Sequence, residues 1–138
     1  MSISKEHDKH NRKFLSFLVV ENNPMFQSII PGLLVQLPYS FSVRIVGSGE
    51  EAIEQTQWVL FDLIFMNAGL PNIDGPEAAK IIKKQKGMNK DTPIIGVSSH
   101  HKRETDCINA GMAGFLCHEF YVRDIRKILE KHNLIEKN

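Results

Sequence analysis

The sequence predicts an α/β domain: a parallel sheet with helices on both faces. Three observations predict it. Short apolar runs alternate five times with stretches of helical spacing. The central run, Leu63-Ile64-Phe65-Met66, is apolar at every position, as a strand buried on both faces must be. The run then stops at a polar residue, Asn67, and a loop punctuated by Gly69, Pro71 and Gly75 follows. In open sheets of this kind, ligands and chemistry sit just past the carboxyl ends of the strands. Asn67 stands at such an end.

The 138 residues make one domain with a single core. A hydrophobic fraction of 42% and a charged fraction of 24% are ordinary for a soluble globular chain. A net charge of +1 argues against an electrostatic binder of nucleic acid or anionic membrane. The longest apolar segment, residues 14–20, is far short of the roughly 20 residues that span a bilayer. Basic residues precede it, as in a signal peptide, but Glu21-Asn22-Asn23-Pro24 follows with no small-residue cleavage site. A cytoplasmic protein is expected. Cys107 and Cys117 have no metal-ligand spacing and make no disulfide framework, so they are expected to be small buried hydrophobes.

Residues 1–13 are polar and are expected to be a flexible tail. His7 and His10 lie in it without a third metal ligand nearby. Residues 14–20 form the first strand. A helix follows from Pro24, with Phe26, Ile29, Ile30, Leu33, Leu34 and Leu37 on its buried face and a kink or early break at Pro31. Residues 41–46 alternate as a second strand. Ser48 and Glu51 have capping-box spacing and open a helix to about Gln57, with Trp58 expected to pack at its end. After the third strand, Pro76 sits at a helix start, Asp74 is placed to cap that helix, and Gly87 ends it. Residues 93–97 form the fourth strand, and a weaker helix follows over residues 101–110. Residues 115–117 form the fifth strand, and a last helix runs from about Val122 to His132. The domain is expected to span residues 14–133, with a short tail at 134–138.

Polar residues thus close four strands: Glu21 and Asn22, Asn67, Ser98, and His118. Solvent at a strand end explains any one of them. Their sequence contexts suggest more. The stretch from Asp62 to Gly75 resembles D-L-I-L-M-D-x-x-M-P-x-M-D-G, the third strand and loop of bacterial response-regulator receiver domains. Leu18 to Asn23 resembles L-V-V-E-D-N, Thr92 to His100 resembles T-P-I-I-A-L-T-A-H, and Gly111 to Phe120 resembles G-x-x-x-Y-L-x-K-P-F. The resemblance covers about residues 14 to 133 and implies five strands in the order 2-1-3-4-5.

The resemblance also implies a site. In the family, two acids after the first strand, an acceptor aspartate and a backbone carbonyl hold Mg²⁺, while a lysine and a hydroxyl grip the phosphoryl oxygens. By position these roles fall on Glu21 and Asn22, Asn67, Gly69, His118 and Ser98, with Phe115 as the switch aromatic. Three roles are chemically lost. Asn67 offers a neutral amide in place of the nucleophilic carboxylate. Asn22 removes a second anion, and Mg²⁺ prefers hard anionic oxygens. His118 replaces a permanent cation with a shorter imidazole, and Glu119 stands in place of a proline.

The expectation is therefore a pseudo-receiver: not an enzyme, unphosphorylated, and with a weak residual Mg²⁺ site at most. Its expected partners are a histidine kinase, a phosphotransfer protein or another receiver. Homodimerisation through the face of the fourth helix, fifth strand and fifth helix is a further expectation. The alternatives are a receiver that uses a non-standard acceptor such as Ser98, Ser99 or Asp74, or the receiver segment of a hybrid histidine kinase. A flavin or other small-molecule binder is disfavoured, because no glycine-rich loop follows the first strand. One further expectation concerns the cleft: Glu21 and His118 both point into it, and within hydrogen-bond reach of each other they would make it pH-sensitive.

Overall fold

The computed structural model describes residues 14–137. The expected N-terminal tail, with His7 and His10, lies outside them. Five strands, β1 (Phe14–Val20), β2 (Ser40–Val46), β3 (Leu63–Asn67), β4 (Ile94–Ser98) and β5 (Gly114–Cys117), form one sheet in the order β2-β1-β3-β4-β5. Every pairing is parallel. The helices are α1 (Ile29–Leu34), α2 (Gly49–Trp58), α3 (Gly75–Lys84), α4 (Glu104–Asn109) and α5 (Val122–Lys131). The predicted α/β class and strand order are both present.

Strand periodicity divides the core in two. Leu15, Phe17 and Val19 of β1 face one side and meet Ile30 and Leu34 of α1 and Ile125 and Leu129 of α5. Leu18 and Val20 face the other side and meet Ala52 of α2, Ala78, Ala79 and Ile82 of α3, and Cys107 of α4. This is the period-two alternation of a strand with helices on both faces. Cys107 is buried as expected, whereas Cys117 is half-buried. Leu134 and Ile135, in the segment expected to be a tail, pack against the α1/α5 side.

The caps explain where helices begin. Ser48 accepts a hydrogen bond from the Glu51 backbone N–H at 3.1 Å, and Glu51 reaches back to the Gly47 N–H at 2.7 Å. Asp74 caps α3 through the Glu77 N–H at 3.1 Å. Two local expectations are corrected. The first helix is not one long element with a kink. A 3₁₀ turn, Phe26–Ser28, precedes α1, and Pro31 falls in the first turn of α1, where its missing N–H costs no intrahelical bond. Trp58 does not pack at the end of α2. It is 69% exposed, its indole N–H donating to Glu54 Oε2 at 3.3 Å.

Candidate functional site

The carboxyl ends of the strands are tied to one another by the backbone. The Glu21 N–H donates to Val46 O, the Ala68 N–H to Val97 O and the His118 N–H to Ser98 O, at 2.9–3.0 Å. The β1–α1 loop is shaped by Asn23, whose side chain accepts from the Met25 N–H at 2.9 Å while its carbonyl accepts from the N–H groups of Phe26 and Gln27. The loop after β3 is closed by the Gly75 N–H donating to Ala68 O at 3.0 Å. Gly75 is required here: a Cβ at this position would lie well inside contact distance of Asn67 O and Ala68 Cα.

This frame brings together the predicted side chains of β1, β3, β4 and β5. Asn67 is at the centre. Its Oδ1 accepts from the Gly69 N–H at 2.9 Å, and its Nδ2 donates to Glu21 Oε2 at 3.1 Å and to Asn22 Oδ1 at 3.3 Å. The neighbours fix this orientation of the amide. Flipping it would set two N–H donors against each other at Gly69 and an oxygen against the Glu21 carboxylate. Glu21 is only 6% exposed, and its Oε2 also accepts from the Asn23 N–H at 3.0 Å. A buried carboxylate needs such donors.

The donor set does not fit Mg²⁺. Glu21 is the single carboxylate lining the cleft among the described residues. Its Oε2 and the Asn22 oxygen both receive amide hydrogens, and Asn67 presents N–H groups to them where a metal needs lone pairs. Among the described residues no group of three or more His, Cys, Asp or Glu is assembled for a metal.

The remaining predicted residues are placed as follows. Ser98 is buried, and its Oγ accepts from the His100 N–H at 3.0 Å. Phe115 packs against the α2/α3/α4 side of the core. The His118–Glu119 peptide is cis. Glu21 and His118 both line the cleft, as expected, but among the described residues no hydrogen bond or ion pair joins them, so the condition for a pH-sensitive pair is not met. The His118 ring lies between Phe26 and Phe120, with centroids 5.7 and 4.8 Å away. Glu21 is instead held by Asn67 and Asn23.

The sequence did not reveal Arg103. It lines the same cleft of about 140 Å³, beside Ser98, Ser99, His100 and His118. Its Nη2 meets Asp74 Oδ2 at 3.2 Å and its Nε lies 3.3 Å from Asp106 Oδ2. Arg103 thereby ties the 3₁₀ turn His101–Arg103, just before α4, to the N-cap of α3. The run His-Lys-Arg-Glu reads as a solvated helix start, and nothing local marks one member as facing inward.

A doubly wound 2-1-3-4-5 sheet with polar residues gathered at its carboxyl edge is the flavodoxin-like architecture, with its site at that edge. The chain belongs to the response regulator receiver domain family, whose profile matches residues 17–130. It is similar to hybrid signal transduction histidine kinase G of Dictyostelium discoideum, 26% identical over 88% of this chain and 4% of that protein. It is also similar to transcription factor SKN7 of Candida albicans, 32% identical over 92% of this chain and 22% of that protein. Among solved structures, it is similar to the receiver domain of sensor histidine kinase PA1611 from Pseudomonas aeruginosa, which has a magnesium ion in its active-site cleft. The identity is 28%, the coverage 85% of this chain and 95% of that one, and the TM-score 0.75. The chain therefore spans 4% and 22% of the two curated relatives. Both are eukaryotic, so membership does not confine the chain to bacteria. Among the described residues, no helix is long and apolar enough to cross a membrane.

Proposed function

We propose that this chain is an atypical receiver of a phosphorelay, one that carries no phosphoryl group at position 67 and works by protein contact. The observation that carries the reading is the Asn67 amide, hydrogen-bonded to Glu21, Asn22 and the Gly69 backbone. It supplies internally the positive edge that would otherwise come from a cation, and it has no carboxylate from which an acyl phosphate could form. The chain is not an enzyme on this reading, and it needs no Mg²⁺. Its partner is a histidine kinase, a phosphotransfer protein or another receiver, met in the cytoplasm. Hybrid signal transduction histidine kinase G, which extends far beyond the matched region, supports a second form of the same reading: a receiver segment of a hybrid histidine kinase.

Acetyl phosphate with Mg²⁺, followed by intact-mass measurement, tests it. The expected result is no covalent adduct on the wild-type chain. A stoichiometric phosphate adduct, on Ser98, Ser99, Asp74 or any other acceptor, would overturn the reading.

A further inference from the structure

We propose that two copies of this chain associate through the outer face of α2 and α3, with the acidic stripe of one copy's α2 set against the basic stripe of the other copy's α3. The apolar part of this face lies at the edge of the sheet opposite the cleft, and the association is independent of the chemistry at position 67.

The two helices lie side by side and run in the same direction, as successive right-handed crossovers require. At their starts Gly49 sits against Ile73 and Ala78, and at their ends Gln57 Nε2 donates to Gln85 Oε1 at 3.1 Å. Their outer faces carry opposite charge. Glu50 and Glu54 stand one turn apart on α2, Lys80 and Lys84 one turn apart on α3, and all four are exposed. Arg103 makes the ion pairs found among the described residues, and these four charges take part in none.

Both helices end among exposed apolar side chains. Trp58 is 69% exposed, Leu60 60% and Met88 52%. The indole of Trp58 donates to Glu54 Oε2 at 3.3 Å, which sets the two on one stripe. Asn89 keeps Leu60 in solvent: its Nδ2 donates to Val59 O at 2.6 Å and its Oδ1 accepts from the Phe61 N–H at 3.0 Å, so both neighbours of Leu60 are anchored. Met88 immediately precedes that buried amide, between the exposed Lys86 and Lys90. Large apolar side chains held in water beside unpaired charges have the composition of an interface core with a charged rim.

The charge pattern selects the occupant and its orientation. A two-fold axis across the helices would set α2 on α2 and acid on acid. A two-fold axis parallel to the helices and between them sets α2 of each copy on α3 of the other, at the same level. The level is fixed by Gln57, which stands beside Gln85. Glu54 then falls between Lys80 and Lys84 of the second copy. Trp58 falls beside that copy's Lys86 and Met88, an ammonium and a thioether that both suit an aromatic face. Glu50 and Glu77, near one level at the other end, would repel, which confines the contact to the carboxyl-terminal halves of the helices.

Trp58 is the single tryptophan of the chain, so its fluorescence reports this face alone. As the full chain is concentrated from about 1 μM to about 1 mM, the emission should move to the blue in step with a doubling of mass in sedimentation equilibrium. Trp58→Glu should weaken the association about tenfold or more, since each copy loses the same anchor. Lys80→Glu with Lys84→Glu should weaken it as well, and adding Glu54→Lys should recover most of that loss, because the exchanged signs are again complementary. Ile108→Glu, exposed on α4 and so on the face expected from the sequence to dimerise, should change nothing. A chain that stays monomeric throughout would overturn the proposal and leave this face to a different protein. Dimerisation with unmoved emission, or a dimer lost in Ile108→Glu and kept in Trp58→Glu, would overturn it in favour of another surface.

Discussion

Asn67 and Asn89 are the same side chain at opposite edges of one sheet. Asn89 is 1% exposed, in the loop before β4. Its Nδ2 donates to Thr56 O at 2.7 Å and Val59 O at 2.6 Å, while its Oδ1 accepts from the Phe61 N–H and the Thr92 hydroxyl at 3.0 and 2.9 Å. All four of its hydrogen-bonding positions are filled, mainly by backbone that water does not reach. Asn67 uses three positions, and two of its partners are side chains at an open cleft. The first amide is a clasp between loops. The second answers the polarity of a site. Burial and the identity of the partners separate the two roles, and residue type does not.

The largest expected effect breaks the clasp. Asn89→Ala strands the Phe61 N–H and the carbonyls of Thr56 and Val59, so it should cost about 3 kcal/mol, on the order of 10 °C in melting temperature. Asn67→Ala, whose orphaned partners meet cleft water, should cost less than half of that. Equal losses in thermal melts would erase the contrast.

Asn67→Asp comes next. It removes two donors and sets a second carboxylate against Glu21, so it should destabilise the metal-free protein by about 1–2 kcal/mol. Millimolar MgCl₂ should restore that loss and leave the wild-type melting temperature unmoved. A wild-type chain that gains as much from Mg²⁺ would show that the amide does not exclude the ion.

A smaller effect carries the same contrast to the cysteines. Burial of Cys107, only partly opposed by Arg103, pushes its thiol up to about 11. A thiol reagent at pH 8 should therefore modify half-buried Cys117 and spare Cys107, and both should react in denaturant. Rapid loss of both native thiols by mass measurement would refute it.

The smallest concerns His132. Burial, assisted by Lys131, holds its imidazole below the usual range, so folding favours the neutral form. That contribution is complete above the ordinary histidine range and is lost as the pH falls through the lowered folded value. His132→Gln should flatten the acid side of the stability profile slightly. An unchanged slope would place the pH dependence elsewhere.

Most of the fold was legible because it rests on local signals. Unbroken apolar runs marked β3 and β4, Ser48 and Asp74 marked helix starts, and the polar residues closing four of the strands marked the edge with the cleft. What stayed hidden depended on contacts distant in sequence. Trp58 looks like a core residue by type, yet α2 leaves it in solvent. Glu21 and His118 share a cleft, but their contacts there are with other residues, Asn67 for the carboxylate and Phe120 for the imidazole. Arg103 and Asp74 are 29 residues apart, and neither carries a local sign of the other.

Gly75 has a consequence for how such a site changes. Because the first residue of α3 lies directly on the backbone of Asn67 and Ala68, the main chain at position 67 is held by a neighbour indifferent to which side chain stands there. Asparagine and aspartate have nearly the same shape. Exchange of one for the other alters charge and hydrogen count and leaves the supporting chain undisturbed, so a substitution at this position changes what the cleft can do without changing how the cleft is built.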